Sequence, residues 1–122
     1  MKEQFLKYLS MLPVAVATYF SPAFTMLLAI GFFVVSDFIT GMLAAKKRGE
    51  LITSKKMRPT VTKGIGYMVA ILVAHVFQVN FSPSIEIMKI VSGLIALIEL
   101  KSVDENLRDI TGKSLFKQFT KH

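Results

Sequence analysis

Asp37 is the residue with the clearest chemical potential in this chain of 122 amino acids. It stands alone as a charge in a 23-residue apolar stretch, Ala23 to Ala45 (AFTMLLAIGFFVVSDFITGMLAA). A carboxylate at the centre of a membrane helix costs about 2.5–3.5 kcal/mol on insertion scales, so it faces other helices or water. Two roles are open to it. It lines or gates a pore or accepts a proton, or it packs, bonded to Lys63, Tyr67 or a hydroxyl on a neighbouring helix. Glu99 closes the last apolar run, one turn before Val103-Asp104-Glu105-Asn106. It either shares the role of Asp37 or sits at a boundary and neutralises basic residues. His75, among apolar neighbours, reads as an interhelical hydrogen-bonding group.

Enzyme chemistry has no visible machinery. The chain has no Cys and two His, at positions 75 and 122, which leaves no expected metal site. No Gly-rich phosphate loop, zinc-protease helix or pair of acids spaced for hydrolysis is present, so no catalytic residue and no cofactor is expected. Seven Met and ten Phe without Trp fit packing in lipid better than a binding box.

The elements that must position these residues are apolar and long. Hydrophobic residues make up 52% of the chain and charged ones 19%, and the mean hydropathy is +0.53. That excludes an ordinary soluble enzyme of this size. Residues 23–45 rise about 34 Å as a helix, enough for a hydrocarbon core of about 30 Å. The stretch begins after Ser21-Pro22 and stops at Lys46-Lys47-Arg48-Gly49. Residues 65–81 and 85–100 form two further expected spans, joined by the turn residues Asn80-Phe81-Ser82-Pro83-Ser84. A soluble two-helix hairpin packed on another surface competes for that half. Residues 1–22 form either an interfacial helix or a short first span, kinked by Pro13 in either case. The expected architecture is one membrane domain, all-α, an antiparallel bundle of three to four transmembrane or membrane-embedded helices. Small residues four apart on the second segment, Gly41 and Ala45 after Asp37, allow close helix contact.

Charge sets the expected topology. Between residues 46 and 64, Lys46, Lys47, Arg48, Lys55, Lys56, Arg58 and Lys63 face the single acid Glu50, which accounts for all but one of the seven net positive charges. A basic segment framed by membrane-length apolar runs marks the cytoplasmic side and contacts anionic lipid, a reading favoured over nucleic-acid binding. The 46–64 loop and the tail 101–122 are then cytoplasmic, and the 80–84 turn faces outward.

The run Asp37-Phe38-Ile39-Thr40-Gly41-Met42-Leu43-Ala44-Ala45-Lys46, followed by Gly49-Glu50-Leu51, Ser54-Lys55-Lys56 and Lys63-Gly64, resembles the phage lysis and toxin-secretion holin family. The family's closing pattern, Glu-x-x-Ser-(Ile/Val)-x-Glu-Asn, is matched by Glu99, Ser102, Val103, Glu105 and Asn106. The resemblance covers residues 23–112. It implies a small bacteriophage protein of the host cytoplasmic (inner) membrane that forms homo-oligomeric lesions and releases an endolysin, with an antiholin as a further partner. Some relatives are thought to export toxins. A small multidrug-type proton-coupled transporter, an antiholin and a membrane anchor subunit are the alternatives.

Overall fold

A computed structural model describes residues 1–112, apart from the side chain of Lys56. Every regular element among the described residues is an α-helix: α1 (Lys2–Tyr19), α2 (Ser21–Lys47), α3 (Ser54–Phe81) and α4 (Ile87–Thr111). Both α2 and α3 are long and apolar enough to cross a membrane. The protein is an all-helical membrane protein.

Helices α2, α3 and α4 form the bundle, with α2 and α4 in the most extensive contact. Two hairpin connections make α3 antiparallel to both. The seams follow heptad spacing, which keeps one face of each helix on its partners. On α2 the buried residues Ala23, Ile30, Asp37 and Ala44 recur every seven positions, with Val34 between them. On α4 Met88, Ser92, Ile95 and Glu99 are buried at alternating steps of four and three, and Ser102 and Asn106 continue that rhythm half-buried. Ile71 and Ala74 of α3 close the apolar core against Ile30, Val34, Met88 and Ile95. Outside the seams, large apolar side chains such as Phe32, Val73 and Leu94 are exposed, as expected where lipid is the solvent.

The basic segment is mostly helical. Gly49 ends α2 in a left-handed conformation (φ +79°), donating its N–H to the Lys46 carbonyl while Glu50 donates to Ala45, both at 3.0 Å. This glycine-terminated cap satisfies carbonyls that the helix end would otherwise leave bare. The chain re-enters a helix at Ser54, so residues 48–53 alone form the connection. Lys46 and Lys47 stand on the last turn of α2, and Lys55, Arg58 and Lys63 on the start of α3. Past Glu99, α4 likewise continues to Thr111 instead of giving way to a tail. Lys113, Lys117 and Lys121 lie outside the described residues. At the opposite end, the Gln78 side chain accepts the Met88 N–H at 2.9 Å and caps the start of α4.

Helix α1 stands apart, with no buried residue and with α2 as the helix it packs on. Its joint to α2 is pinned to α3. The Ala23 N–H turns to the Phe20 carbonyl, and the Tyr19 carbonyl meets His75 Nε2 at 2.9 Å. Tyr19 and Phe20 flank the His75 ring, with centroids 5.2 and 5.6 Å away. His75 thus bridges helices, as its apolar setting suggests.

Candidate functional site

The acids of two helices meet one lysine of the third. Lys63 Nζ on α3 lies 2.7 Å from Asp37 Oδ2 on α2 and 3.1 Å from Glu99 Oε1 on α4. Asp37 Oδ1 accepts hydrogen bonds from Ser102 Oγ at 2.7 Å and Asn106 Nδ2 at 2.9 Å. Asn106 also donates to the Asp37 carbonyl and to Thr40 Oγ1. Glu99, 1% exposed, accepts from Tyr67 Oη at 2.8 Å. Residues 99, 102 and 106 fall within an arc of about 60° on a helix of 3.6 residues per turn, so α4 points all three at α2 and α3.

Electrostatics explains why so many donors converge. One ammonium balances one of the two carboxylates, and the hydroxyls of Ser102 and Tyr67 and the Asn106 amide spread the remaining charge. Charges taken out of water persist where they are paired and hydrogen-bonded. The cluster is buried but not sealed. A cavity of about 530 Å³ runs from the basic end, between the 48–53 connection and the start of α3, down to Asp37 and Asn106.

The residues singled out by sequence separate into three groups. Asp37, Glu99, Ser102 and Asn106 come together in the cluster. Gly41 and Ala45 belong to the contact face: a Cβ on Gly41 would lie 3.5 Å from Asn106 Nδ2, and Ala45 is buried. Lys46, Lys47, Arg48, Lys55 and Arg58 are exposed at the basic end. Lys63 departs from that set. Counted in the lipid-facing basic loop but also offered as a partner for Asp37, it points into the bundle, where the acids of α2 and α4 supply the counter-charge. Glu105 is also exposed, about 100° around the helix from Asn106.

The basic end is braced by pairs of its own. Lys47 Nζ donates to the Ile110 carbonyl, and Arg48 bonds Asp109 at 3.0 Å and Glu50 at 3.1 Å. The Glu50 carboxylate holds the exposed Arg48 guanidinium above its usual range. Asp104 is buried and bonded too, which its place in a charged run gave no reason to expect. Thr40, a member of the Asp37–Lys46 run, joins the cluster too, its spacing of three from Asp37 putting it on the same helix face.

No curated protein and no solved structure matches the chain. The family model for the bacteriophage holin family does, over residues 14–120, from α1 through the cluster to beyond α4. The match takes in both halves of the buried charge cluster and most of the chain, and the protein belongs to the bacteriophage holin family.

Proposed function

We propose that this chain is a lesion-forming holin: it accumulates in the host cytoplasmic membrane, associates with further copies and opens a path for an endolysin. The buried charge cluster is the observation that carries this reading. Each protomer shelters an acid–lysine–acid network inside an apolar exterior, which makes a single bundle compatible with intact lipid. The same groups, turned toward one another between copies, would line a water-filled hole. The transporter alternative fits less well, since both oxygens of Asp37 are already committed to Lys63, Ser102 and Asn106. An antiholin would share this architecture and differ in failing to lyse alone.

In the proposed topology, α2, α3 and α4 cross the membrane with the basic end inside. Helix α1 lies along the outer interface, because Tyr8 to Tyr19 beyond Lys7 rise about 18 Å, short of the about 30 Å a span needs. The exposed cations at the basic end attract anionic lipid by about 1 kcal/mol each. Co-expression with a cell-wall hydrolase that lacks any secretion signal tests the function. The optical density of the culture should fall abruptly after a delay with both proteins and stay level with the hydrolase alone. Continued growth with both at full expression would contradict the reading.

A further inference from the structure

Two hollows meet between α2 and α3. The larger, about 530 Å³, opens at the basic end beside Arg48, Glu50 and Lys55. The smaller, about 190 Å³, is apolar and lies between Val34 and Val35 of α2 and Val61 of α3. Phe38, Met57 and Thr60 line both, so the two form one cleft, charged at its mouth and greasy below. Val35 and Val61 are more than half exposed on the outer surface of the helices, which leaves the lower part open to lipid. Arg48 is engaged with Glu50 and Asp109, whereas Lys55 makes no hydrogen bond or ion pair among the described residues.

We propose that this cleft seats one anionic phospholipid, its phosphate on Lys55 and one acyl chain in the groove along Val35, Phe38 and Val61. The inference rests on the bundle being surrounded by lipid, as the functional reading also requires. Cationic side chains are the natural partners of a phosphate, and the groove below offers an acyl chain apolar walls. Charge argues against the two protein occupants. A second copy inserted the same way would bring its own basic end against this one. The residues after Gly112 carry Lys113, Lys117 and Lys121 and no acid. The exposed cations Lys46, Lys47, Lys55 and Arg58 leave this end of the bundle net positive, so an anionic head brings the complementary sign and its chain fits the apolar part.

Native mass spectrometry of the purified full-length chain in neutral detergent tests this with four additions: dioleoyl phosphatidylglycerol, dioleoyl phosphatidylcholine, inorganic phosphate, and phosphatidylglycerol with excess phosphate. The expected result is one phosphatidylglycerol retained per chain, about tenfold over phosphatidylcholine, and not displaced by phosphate. Lys55→Gln and Lys55→Glu should erase the preference for the anionic lipid. Val61→Trp, which fills the groove, should lower retention of both lipids, while Val73→Trp, exposed on the same helix outside the cleft, should leave it unchanged. Circular dichroism confirms that each variant keeps its helicity. Equal retention of the two lipids, displacement by inorganic phosphate, or a Val61→Trp that alters self-association but not lipid count would each overturn the proposal. Retention is scored on purified protein whether or not cells lyse, so its failure is separate from failure of the lesion-forming role.

Discussion

Lys63 holds the buried cluster in balance, and the three charged members respond differently to substitution. Lys63→Met leaves two carboxylates facing each other and is expected to destabilise the bundle by about 3–5 kcal/mol, the cost of orphaning a buried ion pair. Asp37→Asn leaves Lys63 paired one to one with Glu99 and should cost less, about 1–3 kcal/mol, from lost hydrogen bonds to a charged acceptor. Equilibrium unfolding in mixed micelles orders the two, and Asp37→Asn at least as damaging as Lys63→Met would contradict the charge balance described. In cells, Asp37→Asn should insert normally and shift the onset of lysis; an unchanged onset would make Asp37 a packing residue and nothing more. The sequence exposed Asp37 and Glu99 because charges inside apolar runs are conspicuous. It offered Lys63 as one partner for Asp37; that the same lysine also pairs with Glu99 depends on how three helices pack, which no single run of sequence shows.

Helix contact depends on what α2 presents to α4. Gly41→Ala would put its Cβ 3.5 Å from Asn106 Nδ2, an ordinary contact, and stability should stay within about 1 kcal/mol. Gly41→Leu overpacks the seam, with an expected loss of about 1–3 kcal/mol and displacement of Asn106 from Asp37. Cysteines introduced together at Lys47 and Ile110, whose helix ends touch, report the displacement as slower disulfide formation. Equal rates in Gly41→Leu and the parent would show that α2 and α4 do not close at this point. The two helices long and apolar enough to cross a membrane, α2 and α3, were legible from apolar length, and the turn expected at residues 80–84 from its Ser and Pro. The extent of α3 and α4 was not, because lysines and acids at a helix end read as loop or tail when only hydropathy is considered. Heptad spacing supplied the missing signal: Met88, Ser92, Ile95, Glu99, Ser102 and Asn106 run on in one rhythm past the end of the apolar run.

At the scale of the whole molecule, the proposed topology fixes which residues face each side of the membrane. The chain contains no native cysteine, so single cysteines report their side of the membrane without background. A cysteine in place of Lys2 should react with an impermeant maleimide in intact spheroplasts, and one in place of Ser54 after permeabilisation alone. Protection of position 2 from outside would place α1 across the bilayer as a fourth span. In the function proposed, the charge cluster, the small-residue seam and the apolar exterior let a protomer rest harmlessly in lipid until copies assemble. Membrane potential followed in single cells with a voltage-sensitive dye after induction tests that claim most directly. The potential should hold while the protein accumulates and then collapse abruptly within each cell. Abundant membrane-inserted protein in cells whose potential and viability never change would contradict it.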